Sequence, residues 1–382
     1  MQNSETQSTK SLPRWVLNLS LVVVGCLFAG GLLLLLLAIF PQYRPGYVTF
    51  TVSQGDIFLN YASWIAPPTN PDEIIATYPI NWDADGFRVP AVQADHYPII
   101  AIGDSYTEAP NAARPWPDVL AEASGIAVRN LAYRGFGPVD EAEMIRLYGP
   151  DSGADTVVVG YFEGNDLSNA VTALERGVTL PKNVNAAERA LTAINMAEIK
   201  ERDIRYPMQV TLNGVQQDIV FLEPYAWILN TGREAYRRSV NFQATMQAYR
   251  DMKAALPDAC MVVAYFPTKE HIYLPFLDAE DRPILMQKTE RFEANEGEKL
   301  VNVHDPETTF DDLLNRLNNQ RDVIQEAVEA EGFVFFDLTP VLSESAEQGE
   351  MLYYLYDTHW NQAGHDLVGA AVADFLSTSP CN

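Results

Sequence analysis

From Trp15 to Phe40 the chain carries no charged residue, and Leu32 to Leu37 is an unbroken run of leucine. Such a stretch admits few structures. One helix crosses a bilayer with ~20 apolar residues. Lipid offers the backbone no partners, so a spanning segment satisfies its own polar groups, as an α-helix does. A cleaved signal peptide has an apolar region of only ~7–15 residues, and no small-x-small site follows this longer one. A lipoprotein reading would begin the mature chain at Cys26, within Val23-Val24-Gly25-Cys26. That would leave a second apolar run, Leu27 to Phe40, at the new terminus. The expectation is therefore an uncleaved transmembrane anchor over residues 14–40. Lys10 and Arg14 precede the run and Arg44 follows it. This slight positive bias makes residues 1–13 a cytoplasmic tail. Everything from about Pro41 onward is then expected outside the cytoplasm, in a periplasmic or extracellular space.

The remainder can hold a substantial core. The chain has 382 residues, 47% apolar and 20% charged, which suits one large domain or two ordinary ones. Its net charge of −25 opposes binding to nucleic acid and to anionic membrane surfaces. It suits a neutral substrate better than an anionic one. The cysteines are Cys26, Cys260 and Cys381, with no Cys-x-x-Cys pair. A thiolate zinc site is not expected, and no cofactor is called for. Cys260 and Cys381 are left as a pair that an oxidising compartment would allow to bridge.

Residues 41–96 read as a connecting and edge segment rich in proline and aromatics. Val48 to Val52 alternates as a strand does, and Asn81 to Arg88 reads as a turn carrying buried aromatics. From residue 97 the pattern sharpens. Ile99 to Gly103, Ala127 to Leu131, Asp155 to Phe162, Cys260 to Phe266 and Phe333 to Asp337 read as strands. Helices are expected over Pro115–Ser124, Asp140–Tyr148, Val240–Leu256, Asp311–Ala330 and Gln362–Leu376. Strands alternating with helices of this length imply an α/β fold with a central parallel sheet. Residues 167–239 interrupt the alternation as an inserted cap. The cap carries a hairpin at Asn213-Gly214, a strong two-residue turn signal.

Polar, reaction-capable residues collect at the strand ends. Gly103-Asp104-Ser105 closes the first strand, Tyr133-Arg-Gly135-Phe-Gly137 follows the second, and Glu163-Gly-Asn165-Asp166 follows the third. In a parallel sheet these ends share one edge, where α/β proteins bind ligands. Asp357-Thr-His359-Trp-Asn361 stands just before the last helix. A serine hydroxyl needs a base to take its proton, and the base needs a third group to hold its tautomer. Ser105, His359 and Asp357 supply those types. Backbone amides of Ser105 and Gly135 and the side chain of Asn165 could form an oxyanion hole. Taken alone, Gly135 and Gly137 serve equally as tight-loop residues. Asp166 reads as the cap of the following helix. His96, His271 and His304 have no motif around them, His365 reads as packing, and Trp360 either lines the site or fills core. Lys269-Glu270-His271 also falls at the functional edge, where a charged loop is more often solvated than chemical.

At these residues the chain resembles the SGNH hydrolase, or GDSL esterase and lipase, superfamily. Gly103-Asp104-Ser105 matches its first block, Gly135 its second, Gly164-Asn165-Asp166 its third, and Asp357 with His359 its last. The resemblance spans about Asn81 to Leu376, with the insert uncovered. It implies a flavodoxin-like three-layer sandwich over residues 97–380, built on Ser105, His359 and Asp357, with Ser105, Gly135 and Asn165 as oxyanion donors. Two departures stand out. Tyr106 occupies the place of the usual leucine, and Asp357 lies two residues before His359 where the family usually has three. The shorter spacing is similar to membrane-tethered bacterial members and alginate O-acetyltransferase-like proteins, and leads away from simple lipase activity. The implied activity is ester hydrolysis or O-acyl transfer on an acylated carbohydrate. The implied partners are the membrane and, for transfer, an acyl-donor membrane protein. A catalytically silent glycan-binding or scaffold protein is the alternative.

Overall fold

The computed structural model describes residues 14–40, 48–53, 74–80, 82–176, 208–286, 307–355 and 358–378. The chain divides into two compact units, Met1–Tyr47 and Val48–Asn382. The first carries one helix, α1 (Arg14–Ile39). Its Asn18–Leu36 stretch is long and apolar enough to cross a membrane.

The second unit opens with an antiparallel pair, β1 (Val48–Ser53) and β2 (Ile74–Ile80). β1 falls on the alternating stretch, whereas β2 gave no comparable signal. The main sheet follows from β3 (Ile99–Gly103), β4 (Val128–Asn130), β5 (Thr156–Phe162), β8 (Cys260–Phe266) and β9 (Val334–Asp337). These strands are all parallel, in the order β4-β3-β5-β8-β9. Counted within this sheet the order is 2-1-3-4-5, the flavodoxin-like arrangement. The chain runs outward from β3 to β4 and then returns to the other side at β5. The crevice between the carboxyl ends of β3 and β5 is therefore the switch point where such sheets bind ligands.

The strands read as near-continuous apolar runs because the sheet is covered on both faces. Successive residues alternate between two cores. Ala101, Val158, Phe162, Val262 and Phe266 enter one. Ile100, Ile102, Val159, Val263 and Tyr265 enter the other. The first core is shared with α3 (Trp116–Ser124), α13 (Thr339–Glu347) and α14 (Gln362–Ser377). The second is shared with α4 (Pro138–Tyr148), α8 (Val240–Ala255) and α12 (Asn319–Ala330). Between β3 and α3 lies a one-turn helix, α2 (Ser105–Glu108), and after β5 comes α5 (Asp166–Arg176).

The insert carries the expected hairpin, β6 (Met208–Leu212) with β7 (Val215–Ile219). Asn213 and Gly214 take φ of 47° and 77° at its turn, the positive pair that a type I′ hairpin requires. Met208, Val210, Leu212 and Ile219 seat the hairpin in the first core. Two short helices follow, α6 (Glu223–Ile228) and α7 (Arg233–Arg238). After β8 come α9 (Lys269–Tyr273) and α10 (Arg282–Met286).

One expected element differs. The single helix read over Asp311–Ala330 is two, α11 (Phe310–Arg316) and α12, broken at Leu317-Asn318. Side chains at and just after the break bond to residues that follow β8 and β5. Asn318 Oδ1 lies 3.2 Å from His271 Nε2, and Gln320 Nε2 donates to Glu163 O at 2.7 Å. Cys260 is disulfide-bonded and Cys26 is free; Cys381, like His304, lies outside the described residues.

Candidate active site

β3 stops at Gly103 because the next residue redirects the backbone. Asp104 caps α2, and its Oδ1 accepts from Tyr106 N at 2.9 Å. Ser105 thus becomes the first helical residue, at the carboxyl edge of the sheet. His359 arrives from the segment before α14, where Asn361 caps the helix by accepting from Gly364 N at 3.1 Å. Ser105 Oγ and His359 Nε2 are 2.8 Å apart. The two residues are 7% and 8% exposed, so the pair is nearly sealed but reachable.

Tyr106, the departure from the usual leucine, joins these two parts. It is fully buried, and its hydroxyl donates to Thr358 O at 2.5 Å. Its ring stacks on Phe162 and lies 4.8 Å from the His359 ring, centre to centre. Trp360 is fully buried against Tyr106 and Phe266, which resolves its two readings in favour of core. The histidine segment is further fixed by Tyr354 N donating to His359 O at 3.1 Å and by a bridge between Tyr353 and Trp360.

The Gly135 loop is held by a device that the motif reading missed. Glu108, three residues after Ser105, is buried and accepts three N–H groups from Arg134. They come from the backbone N at 2.6 Å, Nε at 2.9 Å and Nη2 at 2.6 Å. Tyr133 N also donates to Gly103 O at 3.2 Å. The loop is therefore tied to both ends of the serine turn. Gly135 has φ of 77°, which a side chain would strain. A Cβ on Gly137 would come within 2.6 Å of Asn169 Cβ, so that glycine lets the loop press onto α5. Arg88, in the turn read only for its aromatics, donates to the carbonyls of Glu108, Ala109, Ala112 and Ala113 at 2.5–3.3 Å.

Asn165 stands at the end of β5, beside the switch point. Its Oδ1 is buried without a partner among the described residues. Its side chain makes no hydrogen bond there, and an uncommitted amide is what an oxyanion donor requires. Asp166 does not cap α5 as expected. It is the first residue of that helix, and its Oδ2 accepts from Phe162 N at 2.7 Å, closing the strand end. Asp357 lies outside the described residues, so the contact shown is the Ser105–His359 pair.

Lys269, Glu270 and His271 are all buried rather than solvated. Lys269 Nζ donates to Tyr354 O and Leu355 O at 3.2 and 3.1 Å, steadying the approach to His359. His271 Nδ1 lies 2.8 Å from Glu163 Oε1, which also accepts from Tyr265 Oη at 2.6 Å. Glu163 is a buried clamp two residues before Asn165. His365 packs as expected, and burial lowers it to about 3.

Behind the serine turn sit three buried carboxyls, Asp104, Glu141 and Asp166. Burial raises Asp104 to about 6. Burial, then repulsion among the acids, pushes Glu141 and Asp166 well above the usual carboxylate range. Both oxygens of Glu141 lack partners among the described residues. The folded state therefore holds protons that the unfolded chain releases near pH ~4. This stability is complete below the unfolded value and is lost as pH rises through the folded one. Glu141→Gln keeps the shape and removes the titration. Thermal melts should show the variant gaining on the wild type as pH rises above about 5. A gap independent of pH would contradict a protonated Glu141.

Residues 314–381 match the family described as SGNH hydrolase-like domain, acetyltransferase AlgX, a domain of the acyl-ester hydrolase and acetyltransferase kind. No curated protein matches the chain. Among solved structures the chain is similar to phospholipase A1 from Streptomyces albidoflavus at 14% identity, with 73% of this chain and 98% of that one covered and a TM-score of 0.38. It is similar to the extracellular lipase of Streptomyces rimosus at 14% identity, 72% and 98% coverage and a TM-score of 0.38. It is also similar to a carbohydrate esterase family 2 enzyme with a carbohydrate-binding domain from Corynascus thermopiles (Myceliophthora fergusii). There the identity is 16%, the coverage 80% and 72%, and the TM-score 0.34.

Proposed function

We propose that the chain is an extracytoplasmic serine esterase or O-acyltransferase, acting on acyl esters of a carbohydrate, acetyl esters above all. The observation that carries this reading is the 2.8 Å approach of Ser105 Oγ to His359 Nε2 at the switch point of the sheet. The match of residues 314–381 to an acetyltransferase domain supports the acyl chemistry. The helix α1, uncharged from Trp15 onward, supports a membrane anchor, with Lys10 and Arg14 on the cytoplasmic side.

In this reading His359 Nε2 takes the Ser105 proton as Oγ attacks the ester carbonyl. Charge develops on the carbonyl oxygen and is met by the amides of Ser105 and Gly135 and by Asn165. His359 returns the proton to the departing alcohol, leaving an acyl-serine. Water or a sugar hydroxyl then attacks the acyl carbon, and His359 takes its proton and passes it to Ser105 Oγ as that oxygen leaves. Asp357 holds the imidazole tautomer and stabilises its charged form. Hydrolysis and transfer use the same residues and differ only in the acceptor.

Asn165→Ala tests the site without touching the nucleophile. The variant should lose ~10²–10³ in kcat on 4-nitrophenyl acetate, the worth of one oxyanion donor. Its melting temperature should stay near that of the wild type, because the amide has no structural partner. Unchanged kcat at full stability would remove Asn165 from the oxyanion hole.

A further inference from the structure

A cavity of about 540 Å³ adjoins the segment that leads to His359, within the range of ligand sites (~300–1,000 Å³). One wall is β7 of the insert, with Gln216, Gln217 and Asp218; the other is the Tyr353-Tyr354-Leu355 segment. That second wall is bonded directly to the strand bearing His359. Tyr354 N donates to His359 O, and Asn361 N donates to Leu352 O at 2.9 Å. That wall of the cavity is therefore one β-bridge from the segment that carries the proposed base.

We infer that this cavity is the subsite for the carbohydrate, and that it takes an uncharged sugar chain rather than a uronate. The inference rests on the reading of Ser105 and His359 as an acyl-ester site. Its chemistry comes from the walls. Gln216 Nε2 donates to Asp278 Oδ2 at 2.6 Å and Gln217 Nε2 to Gly349 O at 2.9 Å. Each amide is thereby tethered, and its oxygen has no partner among the described residues. Among the described residues β7 pairs with β6 alone, on one side. In a two-residue hairpin the alternation of bonded pairs directs the backbone groups of Gln216 and Asp218 away from β6. Amide oxygens, outward backbone groups and the Asp218 carboxylate, whose Oδ1 already accepts from Gln209 Nε2, bind hydroxyls. No lysine or arginine lines the cavity among the described residues, whereas Asp218 does. A uronate carboxylate would meet an acid there, within a protein of net charge −25.

The test uses the full-length protein in detergent micelles with cellotetraose, mannotetraose, xylotetraose and tetragalacturonate, titrated by ligand-observed NMR. At least one neutral tetrasaccharide should bind, and tetragalacturonate should bind more weakly than it. Gln216→Ala with Gln217→Ala should weaken the neutral ligand roughly tenfold, the loss of two ordinary hydrogen bonds. Asp218→Lys should move the preference toward tetragalacturonate. Tighter wild-type binding of tetragalacturonate, no binding of any neutral chain, or neutral binding unchanged in both variants would overturn the inference. Wild-type turnover of 4-nitrophenyl acetate, read in the same preparation, reports on Ser105 alone. Turnover without sugar binding removes only the cavity assignment. Sugar binding without turnover keeps the cavity and removes the acyl chemistry.

Discussion

Ser105→Ala should abolish turnover of a short acyl ester and leave the melting curve in place. No other hydroxyl at the switch point stands 2.8 Å from a histidine among the described residues. The acyl group would have no atom to join. Losses of ~10⁴–10⁶ in kcat are what removal of such a nucleophile produces elsewhere. His359→Ala should lose almost as much, because Ser105 would then keep its proton. The two act as one unit, so the double variant should be little worse than either single one. Additive losses would mean that the pair does not work together. Stability should hold because Ser105 Oγ makes only a long 3.4 Å contact to Asp104 beyond the histidine.

The position of this serine was legible in the sequence for a physical reason. A strand buried on both faces must be apolar throughout, so Ile99 to Gly103 ends visibly where polarity begins. The same rule exposed Asn165 at the end of β5 and Gly135 after β4. What stayed hidden were contacts between residues far apart in the chain. Nothing near Arg88 announces that it gathers four carbonyls at the end of α2 and in the loop after it. Tyr106 looked like a mismatch, yet its hydroxyl spans to Thr358 and its ring packs beside His359. Lys269, Glu270 and His271 had the composition of a solvated loop. Their burial depends on partners in the 354–355 segment, at Leu222 and at Glu163, which no local pattern encodes. The break at Leu317-Asn318 was masked by helix-forming neighbours on both sides. Asp166 suits a cap by residue type, but the amide it accepts belongs to Phe162.

Glu108→Ala should be the most costly substitution outside the reacting groups. The carboxylate accepts three N–H groups of Arg134 in a buried setting. Removing it leaves a guanidinium charge in the interior, a loss of about 3–5 kcal/mol. A thermal melt should show the drop. Activity should fall further than stability requires, since Arg134 directly precedes Gly135 and the loop loses its tether to the serine turn. Replacing both partners, Glu108→Leu with Arg134→Met, should recover much of the stability because neither charge of the pair remains buried. It should not recover the rate. A double variant as active as the wild type would show that the pair only fills space. A signal for this pair did exist: Glu108 ends the buried serine turn, and Arg134 sits inside the glycine loop. Two opposite charges in otherwise buried turns of one edge are candidates for each other.

Labelling of the full-length protein with a fluorophosphonate, followed by peptide mass spectrometry, tests the central claim most directly. The probe reacts only with a serine whose proton a neighbour can take. The expected result is one adduct on the peptide carrying Ser105, absent in Ser105→Ala and greatly slowed in His359→Ala. An unlabelled Ser105 in folded wild-type protein, or labelling that survives Ser105→Ala unchanged, would contradict the account and leave a glycan-binding scaffold in its place.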